Sequence, residues 1–509
     1  MEHPYGAKAS FDGGDLDCGS GLLLLIRRHI DPLAPGELLE IRSREISVNE
    51  ELPAWCRMTG NELVSQLRQG AESSFLVSKG PFRGAATNGS SMPLPRIGGP
   101  KAAEKAAAEA PAARPLPAPA LPILPVMGIG SWPRPSWLLR ALHEHLEHRL
   151  PDEDFAAAAD DAVRLSIQAQ LDAGVDVLSD GEQRRDSYAS FVGGLLEGCQ
   201  LIPIIDLLPY VDDPEKFRIE LQALDVPAER VRHPAVFGRI RRVRPLALGE
   251  LTFVQSIAPS HPVKIALPGP YLLMRTMWLD CVSDRAYPTR EELAGDLIEV
   301  LRAEVAELLA AGAALVQFDE PVLSEVVFGK PQAQRSFMCG ALGERRGPDE
   351  ELGLALELLR AVATGFPADR LAMHVCRGNW TTDENVALSG DYRPLLPLLS
   401  RASVGTLFLE LATPRAGELE VLAALPDDKR IGVGVVNQKS PRIETPEVVL
   451  NRATQAVRLF GRERVLLTPD CGFATFADNP IASASIATEK LKSIAAAARM
   501  LRLEKSLLS

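Results

Sequence analysis

Eight short apolar runs, separated from one another by amphipathic text, constrain the fold of this chain more than any other feature. They are PVMGIG (125–130), VDVLSD (175–180), VKIALPG (263–269), AALVQFDE (313–320), LAMHVC (371–376), GTLFLE (405–410), IGVGVV (431–436) and VLLTPDCG (465–472). Between them lie segments of helical periodicity such as RAEVAELLAAG (302–312) and EVVLNRATQAVRLFG (447–461). Strand candidates that alternate with helices predict an α/β fold, here a (β/α)8 TIM barrel. A doubly wound sheet is the alternative, but no G-x-G-x-x-G loop opens a helix to support it. Several runs end in polar or thiol residues, and barrel enzymes place their chemistry at the carboxyl ends of the strands.

Upstream of the first run the composition changes. From about Gly80 to Pro125 the text is rich in Ala, Pro and Gly and poor in large apolar residues, which favours an extended, flexible linker over a packed core. The expected division is a small domain at 1–80, a linker at 81–123 and the barrel at 124–509. The small domain reads as a two-layer α/β sandwich. Gly19-Ser20-Gly21 precedes an apolar helix, LLLLIRRHI, that stops near Pro32, LLEIRS (38–43) is a strand, and Pro53 starts a second helix through Trp55, Leu63 and Val64. Cys18 falls at the first helix's N-terminus, where free backbone N–H groups and the helix dipole lower a thiol's pKa. Cys56 reads as core.

Of the 509 residues, 46% are hydrophobic and 24% charged, ample for large buried cores. A net charge of -12 and a pI near 5.4 argue against a nucleic-acid surface, which needs a local Lys/Arg excess. The start, MEHPYGAK, lacks a secretion signal, and no apolar run is long enough to span a membrane, so neither nucleic acid nor membrane is an expected partner. The cysteine count is odd and the spacing irregular, which fits a reducing cytoplasm better than a disulfide framework. Special cysteines are then metal ligands or reactive thiols.

The sharpest chemical signal is His374-Val375-Cys376. In a strand, residues i and i+2 point to the same side, so an imidazole and a thiolate can meet one ion. Glu410 and Cys471 stand at the ends of two later strand candidates. One nitrogen, two sulfurs and a carboxylate oxygen form a tetrahedral set suited to zinc (Zn2+), with a carboxylate arm that an incoming ligand can displace. Zinc would hold a bound small-molecule thiol as the nucleophilic thiolate. The competing reading makes these residues ordinary core cysteines and a strand-end histidine. Their placement at the ends of three strands favours the metal.

Residues 124–505 resemble the catalytic barrel of the cobalamin-independent methionine synthase family. The likeness rests on Ile129-Gly130-Ser131, DVLSDGEQRRD (176–186), Gly269-Pro270, VQFDEPVL (316–323), HVC, FLELA, GVGVVNQKSPRIET (432–445) and PDCG. It implies that His374, Cys376, Glu410 and Cys471 are zinc ligands. Ser131 would hold the carboxylate end of homocysteine, Glu182 and Asp319 its ammonium, and Ile129 would line the same subsite. Two strand-end carboxylates suit a cationic amine, the other reading being ion pairs with Arg184 or Arg185. Three departures stand out. Full-length members carry a second barrel for which this chain has no room. Thr276 stands where the family stacks a tryptophan on folate, with Trp278 two places on, and Lys439 replaces a proton-donating histidine. The missing barrel and the lost stacking argue against methyltetrahydrofolate triglutamate as donor and for a corrinoid protein or another methyl carrier, while Lys439 is shared with shorter members of the family.

Residues 10–70 separately resemble the TusA-type sulfur-carrier family, through Asp12, the helix after Cys18, Pro35-Gly36-Glu37 and ELPAWCRMTGNEL (51–63). The family's C-P-x-P has become Cys18-Gly19-Ser20-Gly21, and the glycine three before the cysteine is Asp15. The likeness implies a sulfur handle at Cys18, a sulfur-relay protein as partner, and delivery of sulfur across the tether. The leading expectation is a zinc-dependent methyltransferase converting homocysteine to methionine. Other zinc-dependent thiol-alkyl transfer, thioether demethylation or a non-catalytic sulfur-trafficking role are the alternatives.

Overall fold

A computed structural model of the chain describes residues 3–17, 21–70, 72–82, 115–117, 119–147, 149–210, 231–279, 286–329, 346–379, 381–475 and 481–503. It divides into two compact units, Met1–Ala113 and Arg114–Ser509. Cys18 lies outside the described residues.

The first unit runs β1 (Ala9–Asp12), α1 (Leu23–Ile30), β2 (Leu38–Ser43), α2 (Val48–Thr59), β3 (Glu62–Gln69) and β4 (Glu72–Ser78). Its sheet order is β1-β2-β4-β3, with β1 parallel to β2 and the remaining pairs antiparallel. A parallel pair needs a crossover, and α1 supplies it. Leu39 pairs with Val77 and Ile41 with Phe75 across β2 and β4. All four are buried, as are Leu24, Ile26 and Ile30 of α1. The second helix differs from expectation. It starts at Val48, carries Pro53 inside it, and stops where Gly60 turns left-handed at φ 71°, so Leu63 and Val64 belong to a strand. Cys56 is buried in α2, and burial pushes its thiol up to about 12.

The second unit is built on six parallel strands: β7 (Lys264–Pro268), β8 (Leu315–Asp319), β9 (Leu371–Val375), β10 (Thr406–Leu409), β11 (Arg430–Val436) and β12 (Val465–Pro469). They pair in sequence order, β7 to β12. An antiparallel hairpin, β5 (Leu196–Pro203) with β6 (Arg232–Arg242), precedes them and was not foreseen. The runs at 125–130 and 175–180 make parallel bridges rather than full strands: Val126 with Leu467 of β12, Met127 with Val177, and Leu178 with Val263 beside β7.

Both faces of this sheet are buried, which is why its strands read as nearly continuous apolar runs. Val316, Phe318, Leu371, Met373, Val375, Leu407 and Leu409 join the large core shared with the helices. The alternate residues Leu315, Ala372 and Phe408 form a second, smaller core with Met127, Ile129, Val177 and Leu466. Two-residue periodicity extends that second face to Gln317 and Asp319, to His374 and Cys376, and to Glu410. The site residues therefore continue an apolar stripe toward the carboxyl ends of the strands. No helix among the described residues is long and apolar enough to cross a membrane.

Candidate metal centre and its pocket

His374, Cys376 and Cys471 offer ligand atoms that all lie within 4.8 Å of one another, and all three residues are buried. β9 delivers the first two from one face, and the chain leaving β12 delivers the third. The His374 Nδ1 lies 3.2 Å from the Phe408 carbonyl and its Nε2 lies 3.4 Å from the Cys471 Sγ. A carbonyl can only accept, so Nδ1 carries the proton and Nε2 presents a lone pair, the usual arrangement behind a metal-binding imidazole. A hydrogen bond from Cys471, with His374 close by, holds the Cys376 thiol well below its usual range despite burial.

Glu410 shares the face but stands outside this group of three. Its Oε2 accepts from Arg415 at 3.3 Å, while its Oε1 is buried with no hydrogen-bond partner. An orphaned carboxylate oxygen costs free energy unless something pairs it.

The three ligand candidates open into a pocket whose wall includes Ile129, Ser131, Glu182 and Asp319. The fold thus brings every substrate-side candidate to the metal group. Glu182 is held in a strained turn, with φ 55° at a non-glycine residue. Asp180 Oδ1 accepts from its N–H at 3.0 Å, and Arg134 Nη2 donates to the carbonyls of Glu182 and Arg185 at 2.7 Å each. Gly130 makes room for the carboxylate, since a Cβ there would stand 2.1 Å from Glu182 Oε1. The arginines that were alternative partners are engaged elsewhere: Arg185 forms a buried ion pair with Glu250, and Arg184 bonds Asp160. Glu182 Oε2 is left buried and unpaired. Burial, reinforced by Asp319 and Asp180, raises the Glu182 carboxyl to about 7. Asp319 Oδ1 accepts from Gln317 Nε2 at 2.7 Å, and burial raises that carboxyl too.

A match to the family model described as "Cobalamin-independent synthase, Catalytic domain" covers residues 124–346 and 367–499. The chain belongs to the cobalamin-independent synthase family. The synthase is an enzyme of the methyltransferase class, similar to methionine synthases. It is 28% identical over 352 residues to "Methionine synthase" of Sulfurisphaera tokodaii, covering 69% of this chain and 86% of that one. With "Methionine synthase" of Saccharolobus solfataricus it shares 28% identity over 384 residues, 75% of this chain and 96% of the relative. The chain thus spans most of the length of both relatives. The structure of a B12-independent methionine synthase from Shewanella sp. W3-18-1, in complex with selenomethionine, superposes with a TM-score of 0.57 at 24% identity, covering 75% of this chain and 98% of that one. A putative vitamin-B12 independent methionine synthase from Listeria monocytogenes gives 0.55 at 16%, covering 75% and 99%. These two likenesses bear on the fold.

In the synthase, Ser131 Oγ donates to the Ala474 carbonyl at 2.5 Å, and Gly472 leaves it space, since a Cβ there would lie 2.1 Å from that hydroxyl. Lys439 is buried but does not line the pocket, and its Nζ donates to the Thr381 carbonyl at 2.7 Å. Thr276 is buried and bonds the Leu272 carbonyl of its own helix, and Trp278 is buried as well. Tyr188, Asn379 and Thr475 also line the pocket and were not singled out from sequence. Asn379 follows Cys376 by three positions and Thr475 follows Cys471 by four, so the loops after the ligand strands were the available signal. Asn379 Nδ2 donates to the Gly472 carbonyl at 2.8 Å, and Thr475 Oγ1 donates to the Asn379 carbonyl, tying those two loops together.

Proposed function

We propose that the chain is a zinc-dependent methyltransferase that converts homocysteine to methionine. The observation that carries this reading is one pocket in which a His/Cys/Cys group stands beside two buried carboxylates, one of them with an unpaired oxygen. Zinc suits the donor set: His374 Nε2 and the two thiolates would hold it, with the orphaned Glu410 Oε1 as exchangeable arm. When bound, zinc supplies the positive charge that keeps a substrate thiol ionised at neutral pH.

The chain's own residues do the remaining work. Glu182 and Asp319 pair the substrate ammonium, so that one end of the amino acid is fixed while its thiol reaches the metal group. Ser131 and Ile129 bound the same subsite, with the Ser131 hydroxyl turning from Ala474 to the substrate carboxylate. The walls exclude water and strengthen each of these electrostatic contacts. Lys439, the residue in the proton donor's place, holds the loop at Thr381.

Metal analysis tests the reading. The purified chain should carry stoichiometric zinc, and X-ray absorption should show one further sulfur at the zinc once homocysteine is added. A metal-free protein, or an unchanged coordination sphere, overturns it. For the methyl donor, the family's folate is the first candidate; Thr276 offers no aromatic face for it to stack on, and a corrinoid-borne methyl group is the alternative. Turnover with methyltetrahydrofolate alone would reject that alternative.

Two further readings belong here. The bridges at Val126, Met127 and Leu178 connect β12 to β7 through the first two runs, which supports a closed (β/α)8 barrel. The β-α-β-α-β-β order of the first unit supports the sulfur-carrier reading with Cys18 as handle. Unchanged turnover in Cys18→Ser would sink the latter.

A further inference from the structure

Lys264 is 1% exposed, although it carries a charge into the apolar face built from Met127, Leu315 and Phe408. An ammonium in such a place costs several kcal/mol unless hydrogen bonds and opposite charge compensate it, so it calls for an account. Its Nζ donates to the Ile129 carbonyl and to Gln317 Oε1, both at 2.5 Å, and stands 4.6 Å from the centre of the Phe408 ring. Gln317 Nε2 in turn donates to Asp319 Oδ1 at 2.7 Å. The direction of this chain is fixed by chemistry: an ammonium only donates and a carboxylate only accepts, so the amide between them has one possible orientation.

We propose that Lys264 is a positioning residue for the substrate's amine, acting on Asp319 through Gln317 and on the pocket wall through Ile129. The proposal rests on the reading that Glu182 and Asp319 pair an ammonium. One oxygen of Asp319 is taken by Gln317, which fixes the plane of the carboxylate and turns its other oxygen to the incoming amine. Besides Cys471, which belongs to the metal group, the negative charges acting on Lys264 are those of Asp319 and Glu182. Without Lys264 the Gln317 amide loses the donor that fixes its oxygen, and its hold on Asp319 is free to rotate.

The test is the affinity of the full-length, zinc-loaded chain for homocysteine and for its analogue lacking the α-amino group, measured by calorimetry in the parent, Lys264→Met and Gln317→Leu. Lys264→Met keeps the side chain's length and removes its charge; zinc content should match the parent's, while the melting temperature should fall, because the Ile129 carbonyl and Gln317 Oε1 lose their donor. Both variants should weaken homocysteine about tenfold, a change of about 1.4 kcal/mol, and leave the analogue's affinity unchanged. Equal losses for both thiols, or no loss, overturn the proposal. If Lys264→Met does not fold, Gln317→Leu alone decides: a selective loss supports the relay and its absence rejects it. A parent that binds both thiols equally instead rejects the amine reading of Glu182 and Asp319.

Discussion

Glu182 shows how environment sets a residue's chemistry. Burial first, then Asp319 and Asp180, raise its carboxyl from 4.5 to about 7, so below that pH it is neutral and pairs an ammonium poorly. Homocysteine affinity should therefore rise as pH increases through about 7. Glu182→Gln should flatten that profile and cost about 2 kcal/mol, roughly thirtyfold, at pH 8. A profile in the variant that still rises near 7 would assign the titration to another group. The same shift means that the folded chain binds more protons at this site than the unfolded chain between pH 4.5 and about 7, so its contribution to stability falls as pH rises across that window. Cys471→Ala should remove most bound zinc and activity and leave the melting temperature within a few degrees, because the surrounding core is apolar and complete without the ion. Global unfolding of that variant would make the site a structural one. Glu182 was legible in SDGE as a strand-end acid. Lys264 was not, because a lysine inside VKIALPG gives no hint of which face it occupies or what it meets there.

At the scale of the element, one strand carries two environments. Alternate residues of β8 go to the helix-facing core and to the site, and a single slip of register would exchange them. Gly130, at the end of the first run, shows how closely that register is used. A methyl group at Gly130 would stand 2.1 Å from Glu182 Oε1 and 3.2 Å from its Cδ, so Gly130→Ala should push the carboxylate aside. Homocysteine affinity should drop about tenfold, with a change in melting temperature of only a degree or two, since the atom displaced is the end of a movable side chain. An unaltered affinity would show that the carboxylate's position is not critical. Six of the eight apolar runs form strands within three residues of their expected bounds. Those at 125–130 and 175–180 make only two isolated bridges each, because their polar ends turn early into the loops that hold Ser131 and Glu182. The second helix of the first unit was misplaced for a local reason. Pro53 looks like a helix start, but Val48 to Thr59 already form the helix and the left-handed Gly60 ends it.

At the scale of the whole molecule, the chain forms two compact units, Met1–Ala113 and Arg114–Ser509, each with its own buried apolar residues. Separate cores unfold separately, so scanning calorimetry should resolve two transitions, with zinc binding raising only the one that belongs to the larger unit. A single cooperative transition would show that the units depend on each other for stability. The sequence by itself determined the α/β class, the run of strands and the residue types of the metal group, because periodicity and residue chemistry are local properties that survive without coordinates. Tertiary structure decided the pairing. It gave Arg185 to Glu250 and Arg184 to Asp160, left Glu182 an unpaired oxygen, turned one oxygen of Glu410 to Arg415, and set Lys264 behind Asp319. Apart from Glu410 and Arg415, the long-range partners lie between 24 and 65 positions apart, and which of several acids a buried cation meets depends on strand order and facing.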